Sequence, residues 1–257
     1  MRILLIRHGD PDYVNDTLTE KGRCEAALLA KRAVSMNMGE CYKSPLGRAK
    51  DTAAPCLEVT GKTAEILDWL QEFPAQVDLN KNPELEKAYP DVKKEGGYFL
   101  PRIAWDMVPG YWTEHEAYMD KNTWRETEVA KNSDLVEVYD HVIEEFDRFL
   151  AEHGYVREGA HYRVEKESDE TVTFFCHFGI SCVLLSHLWN VSPFVLWHCL
   201  ALAPTSVTEV VTEEREQGTA YFRGLKVGDI SHLYAGGEEP SFAARFCEIY
   251  SNKEQRH

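Results

Sequence analysis

The sequence predicts a three-layer α/β sandwich: a mostly parallel central sheet, helices on both faces, and a helical, aromatic-rich cap insertion. Three observations carry this prediction. Uninterrupted apolar runs at residues 3–6 and 171–176 have the composition of strands buried on both faces, as in a parallel sheet. Each run ends in a histidine with a glycine close by and leads on to a helical stretch, the alternation typical of α/β folds. Residues 75–133 break this rhythm: prolines 83, 90, 101 and 109 and aromatics 89, 98, 99, 105, 111, 112, 118 and 124 mix with charges and show little periodicity.

The first run, Ile3-Leu4-Leu5-Ile6, passes directly into Arg7-His8-Gly9. In open α/β sheets ligands bind beyond the carboxyl ends of the strands, so a histidine there is placed for chemistry. Asp10-Pro11-Asp12-Tyr13 reads as a turn. Thr19 is a candidate N-cap for a helix through residues 24–36. Gly22 inside that helix costs helix stability and implies close approach to a neighbouring backbone. Residues 39–42 read as a second strand. A helix over 47–56 opens with Arg48 in its first turn, where unsatisfied N–H groups favour an anion. Residues 64–70 read as a third strand, which places Glu72 just past its end.

An aromatic-rich insertion at about 75–135 in an α/β domain is either a binding cap or an accessory helical pack with its own small core. Its aromatics at 98–124 suggest a ring-bearing or bulky leaving group. Tyr111, Trp112 and Trp105 could stack on a ligand or pack within the insertion. Residues 134–153 have apolar positions at helical spacing, with Ser133 as a cap and Gly154 as a stop. Residues 159–170 are polar, a loop or short hairpin. The run at 171–176 ends in His177-Phe178-Gly179 and is followed by a helix over 180–190. Residues 206–212 and 219–226 read as two further strands, a β-pair at one side of the sheet. The tail from residue 238 is charged and half ordered. The whole is expected to be one domain, 1–257, with the cap inserted at about 75–135.

The net charge of −15 over 257 residues argues against nucleic acid as a partner, because backbone phosphates require a basic face. It leaves room for a small phosphorylated ligand held by a few focused arginines. Seven scattered cysteines with no CxxC pair suit reduced thiols in a cytoplasmic chain. With no signal peptide expected and no apolar run long enough to cross a bilayer, no membrane partner is expected. Homo-oligomerisation is left open. His187, His198 and His232 read as core or surface histidines, and His115-Glu116 lacks the second histidine of a zinc helix, so no metal site is expected.

Arg7, His8, Arg48 and His177 all fall at ends of elements that a parallel sheet gathers at one edge. Arginine forks match phosphoryl oxygens, and a neutral imidazole can attack phosphorus. Two histidines at the ends of two buried strands are harder to dismiss as chance than one.

The ordered motifs resemble the histidine phosphatase superfamily, the phosphoglycerate mutase-like proteins. They are Leu5-Ile6-Arg7-His8-Gly9, Leu18-Thr19-x-x-Gly22-x-x-x-Ala26-x-x-Leu29-Ala30 and Tyr42-x-Ser44-Pro45-Leu46-x-Arg48-Ala49-x-x-Thr52-Ala53. Leu70-x-Glu72-Phe73, His177-Phe178-Gly179, Pro204-Thr205-Ser206-Val207-Thr208 and Asp229-x-Ser231-His232-Leu233 complete the set.

The resemblance implies a phosphatase acting on a small phosphomonoester, with no metal and no cofactor. His8 would be the phosphorylated nucleophile, Arg7, Arg48 and His177 would complete the phosphate pocket, and Glu72 would donate the proton to the leaving group. Asn15, one position from where the family carries a phosphate-contacting asparagine, and Phe178 would add substrate contacts. Asp10-Pro11 replaces the family's usual Glu-Thr, which leaves open whether Asp10 helps to move protons. The Glu-Arg-His-Tyr-Gly segment of cofactor-dependent mutases is absent. That favours hydrolysis over a mutase-type phosphotransferase, and the presence of all five expected catalytic residues gives little support to the other alternative, a phosphate-binding protein without turnover.

Overall fold

The computed structural model describes residues 1–89, 92–242 and 251, which gather into two compact units. The first comprises residues 1–72, 164–181 and 201 onward. Its strands are β1 (Arg2–Arg7), β2 (Glu40–Lys43), β3 (Ala64–Ile66), β4 (Thr171–Cys176), β5 (Val207–Glu216) and β6 (Thr219–Asp229). Within the unit they lie in the order β6-β5-β1-β4-β2-β3. β1, β4, β2 and β3 pair in parallel, while β5 and β6 add antiparallel partners on one side. The sheet is thus mostly parallel, with the antiparallel pair where the sequence puts it.

β1 and β4 run as central neighbours with Arg7 opposite Cys176. The histidines that follow them therefore leave the sheet at the same level. Every residue of β4 is buried, which explains its lack of alternation. Helices α1 (Glu20–Ala33) and α2 (Gly47–Thr60) pack on the sheet through one apolar cluster containing Leu4, Ile6, Leu29, Ala30, Ala53, Cys56, Phe175 and Val207. Each large side chain in it contributes about 2 kcal/mol by leaving water. Thr19 caps α1, its side chain accepting from the Gly22 N–H. Helix α3 (Phe178–Trp189) begins in this unit, and α4 (Ser231–Gly236) lies against α1.

Several boundaries differ from expectation, among them the end of the first helix at Ala33 and of the fifth strand at Glu216, and two of the differences bear on packing. The third strand stops at Ile66, and Asp68–Leu70 turns into a 3-10 helix. Trp69 and Leu70 are buried there and Trp69 meets Phe174 edge-on at 5.7 Å, so the apolar run serves packing where strand pairing has ended. Helix α2 continues to Thr60 and ends at Gly61, which takes the left-handed φ of 64° that suits glycine.

The second unit comprises residues 73–163 and 182–200, and the insertion expected at about 75–135 falls inside it. Its longest element is the Leu135–Glu152 helix, whose buried face carries Leu135, Tyr139, Val142, Phe146, Phe149 and Leu150. Asp134, not Ser133, occupies the N-cap position, although the Ser133 hydroxyl accepts from the Leu135 N–H. Much of the remainder is short 3-10 turns and two-residue strands. These are held by a ring cluster in which Tyr118 meets Phe194 at 4.9 Å and Trp124 meets Tyr139 at 5.0 Å. Trp112 stacks on His198 and Trp105 on Trp197, so these aromatics have packing partners inside their own unit.

Six described cysteines are free thiols. No helix among the described residues is long and apolar enough to cross a membrane. Most of the tail expected to be half ordered, and Cys247 with it, lies outside the described residues.

Candidate active site

The end of β1 is fixed from both sides. The His8 N–H donates to the Cys176 carbonyl at 3.0 Å, and the His8 carbonyl accepts from Thr205 N–H at 3.1 Å. Thr205 takes a left-handed φ of 58° to do so. Gly9 N–H donates to the Thr52 hydroxyl, which donates onward to the Arg48 carbonyl. One threonine therefore ties the loop after His8 to the first turn of α2.

These ties bring four of the expected residues to one place. Arg7, His8, Arg48 and His177 are all buried, none more than 8% exposed. The two imidazoles lie 5.1 Å apart between ring centroids. One ligating atom from each of His8, Glu72 and His177 falls within 4.8 Å of the others. A Glu72 carboxylate oxygen accepts the Gly179 N–H at 2.8 Å, a helix-start donor that holds the side chain at the site. Phe178 is buried at the start of α3. Asn15 is not among the gathered residues: its amide donates to Asp12 at 2.7 Å on an exposed loop. Asp10 also turns elsewhere, its carboxylate accepting from the Thr19 and Ser241 hydroxyls.

The hydrogen bonds define the state of each imidazole. His8 Nδ1 lies 2.7 Å from the Gly9 carbonyl. A carbonyl only accepts, so Nδ1 carries the proton and Nε2 keeps its lone pair. Ser44 Oγ accepts the Leu46 N–H at 3.2 Å and can turn its own proton toward His177 Nε2, 2.7 Å away. His177 Nδ1 is then a donor. His8 Nε2, His177 Nδ1 and Arg48 Nε are buried without a protein partner, so each keeps a hydrogen-bonding capacity that no protein group satisfies.

Burial, then the Arg7 and Arg48 charges, pull His8 well below the usual histidine range, against the Gly9 hydrogen bond, which raises it. Burial, then His8 and the two arginines, do the same to His177. The His8, Glu72 and His177 trio has the spacing to hold a metal ion. However, the Arg7 and Arg48 guanidiniums, which also act to lower both histidines, oppose a cation there and suit an anion. Two guanidiniums beside two neutral imidazoles match the charge of a phosphoryl dianion.

The sign of the pH dependence follows. Histidines with folded pKa values below 6.5 bind fewer protons folded than unfolded. Their contribution to stability is therefore complete above about pH 6.5 and is lost as pH falls below it. His232, lowered to about 4 by burial and Arg32, acts in the same direction. The urea midpoint should fall between pH 6.5 and 5, and His8→Asn should flatten that slope. An unchanged slope in the variant would show that His8 titrates normally.

Sequence reasoning missed Ser44, Thr52, Thr205 and Asp16 as contributors. The first three stand inside quoted motifs, at positions where a hydroxyl beside a strand end or helix start can bridge backbones. Asp16 has no such signal.

A mostly parallel sheet that brings two histidines, two arginines and a carboxylate together at one edge defines a mixed α/β protein with its buried charged and imidazole groups gathered at the strand ends. Comparisons with known proteins narrow this. Residues 3–98 match the family model of the histidine phosphatase superfamily (branch 1). A probable phosphatase of Schizosaccharomyces pombe is 24% identical over 247 residues, covering 91% of this chain and 95% of that protein. Among solved structures, phosphoserine phosphatase from Entamoeba histolytica shares the fold with a TM-score of 0.53 at 16% identity, covering 90% and 98% of the two chains. Mycobacterial glucosyl-3-phosphoglycerate phosphatase does so with a TM-score of 0.52 at 17% identity, covering 88% and 98%. By motif, by the family match over residues 3–98 and by fold, the chain is similar to the histidine phosphatase superfamily.

Proposed function

We propose that the protein is a metal-independent phosphatase that hydrolyses a small phosphomonoester through a phosphohistidine on His8. One observation supports this above the rest: a buried, neutral His8 spends its Nδ1 proton on Gly9 and keeps an unpartnered Nε2 beside three phosphate-binding groups. Arg7, Arg48 and His177 hold the equatorial oxygens, and each such preorganised donor is worth roughly 3 kcal/mol in the transition state. His8 Nε2 attacks phosphorus, the P–O ester bond breaks, and Glu72 gives its proton to the departing oxygen. Water then attacks the phosphohistidine, with Glu72 taking the proton back, and inorganic phosphate leaves. Glu72 is followed by Phe73-Pro74-Ala75 in place of the mutase segment, which favours water as the acceptor.

The test is turnover of para-nitrophenyl phosphate in excess EDTA. Hydrolysis should persist, and Glu72→Gln should lower kcat/KM, which reports the leaving-group step alone, by about 10²–10⁴-fold for an alkyl phosphate but far less for the nitrophenyl ester, whose leaving group needs no proton. No turnover across mildly acidic to neutral pH would overturn the proposal, and an equal loss with both esters would remove Glu72 as the acid.

A further inference from the structure

Helix α2 runs for 14 residues with no side-chain cap from its N-cap residue Leu46, and it opens beside the buried guanidinium of Arg48. Free N–H groups next to a cation make an anion site. The protein fills that site itself. Asp16 accepts from Gly47 N–H at 2.6 Å through one carboxylate oxygen and from Arg48 Nη1 at 2.7 Å through the other. Burial raises the Asp16 carboxyl, but the Gly47 and Arg48 bonds outweigh it and leave the group below the ordinary carboxylate value.

Reaching this position puts Asp16 at a φ of 48°, in the left-handed region that disfavours residues with a Cβ. It also requires glycine at 47, where a Cβ would lie 2.0 Å from the Asp16 carbonyl oxygen. Two unusual backbone requirements thus maintain one carboxylate. Arg48 is divided by it: Nη1 is held by Asp16, while the buried Nε has no protein partner and remains for a phosphoryl oxygen. A phosphoryl group there would sit roughly 7 Å from the carboxylate, one guanidinium and two hydrogen bonds away. That is inside the Debye length of about 8 Å at physiological salt. The Asp16 side chain is itself 42% exposed, so its charge also reaches the solvent side of Arg48.

Resting on the phosphatase reading, we propose that Asp16 is a specificity residue that filters substrates by charge. It admits phosphomonoesters whose leaving group is neutral or carries an ammonium, and it turns away those with a carboxylate or second phosphate close to the ester. The two guanidiniums already answer the transferring phosphoryl dianion, and Asp16 takes part of one of them. A further anion on the substrate therefore meets a carboxylate where it needs a cation, whereas an amino alcohol phosphate brings a cation to it.

The experiment measures kcat/KM for phosphoethanolamine and 3-phosphoglycerate with the full chain and with Asp16→Asn, which removes the charge and keeps an acceptor for one of the two donors. Para-nitrophenyl phosphate serves as the reference for any general loss. The unsubstituted protein should prefer phosphoethanolamine by at least about tenfold, and the substitution should shrink that ratio by about tenfold. Raising salt to about 0.5 M should shrink it in the unsubstituted protein without any variant. Equal changes for both esters, or a ratio indifferent to both Asp16 and salt, would overturn the proposal. Titrating the same two esters into His8→Ala, with and without Asp16→Asn, reads the ratio as affinities. Absence of hydrolysis would then count against the phosphatase reading, while the charge filter stands or falls on the binding ratio.

Discussion

Replacing His8 with alanine should abolish turnover, by at least about 10⁴-fold in kcat, and leave the fold intact. Removing an attacking nucleophile costs this much because the remaining pocket can bind the ester but cannot divide the displacement into two steps. The side chain is buried, unable to ionise near neutrality, and bonded through its ring only to the carbonyl of the next residue. Its loss should therefore change the urea midpoint little compared with its effect on rate. The companion measurement is chemical. Rapid quench of the unsubstituted protein during turnover should show one phosphoryl group on a peptide containing residue 8, stable to alkali and labile to acid, and absent from the alanine variant. Retention of more than about a thousandth of the activity would move the nucleophile to another residue.

The second large effect is expected at a residue that touches no ligand. Gly22 lies in the first turns of α1 against the loop that follows His8. A Cβ on it would lie 2.3 Å from the Asp10 carbonyl oxygen and 2.8 Å from the Asp10 nitrogen, and one on Gly9 would lie 2.8 Å from the Gly22 carbonyl oxygen. Both neighbours are backbone, so no side-chain rotation relieves the overlap. Alanine would ordinarily strengthen a helix by about 1 kcal/mol relative to glycine. Here Gly22→Ala should instead destabilise by about 3 kcal/mol. Because the displaced loop carries His8, kcat should also fall by about 10²-fold, the cost of misplacing a reacting group by an ångström. Gly110→Ala, with open space around the added methyl, should change stability by less than about 0.5 kcal/mol. Urea unfolding and kcat measured well below the melting temperature decide this, and a Gly22→Ala protein as stable and active as the original would refute the packing argument.

The legible parts of the molecule were those where one physical requirement dominated. Strands β1 and β4 are apolar throughout because both faces are covered, and each hands over to histidine at its carboxyl end, so the pairing of His8 with His177 could be anticipated. Gly22 could be read as a close approach because glycine inside a helix is otherwise a cost without a reason. Residues 64–70 misled on length because an apolar run looks the same whether it pairs as strand or packs as a 3-10 turn. The Asn15 expectation came from the family resemblance, one position away from where the motif places its asparagine. In the structure the next residue, Asp16, turns toward α2 through a left-handed backbone that no local pattern announces. The second unit resisted for a different reason: its 3-10 turns and two-residue strands are too short to establish a period, and its order comes from rings meeting across many separate segments.

The central pairing of β1 with β4 has a consequence for biosynthesis. The two imidazoles stand 169 positions apart in the chain, so a ribosome must emit more than two thirds of the protein before the pocket can close. Until then β1 offers an unpaired apolar strand, the kind of exposed edge that seeks partners on other chains. The gathering of these side chains is thus completed late, and a nascent chain interrupted before β4 carries Arg7, His8 and Arg48 without His177.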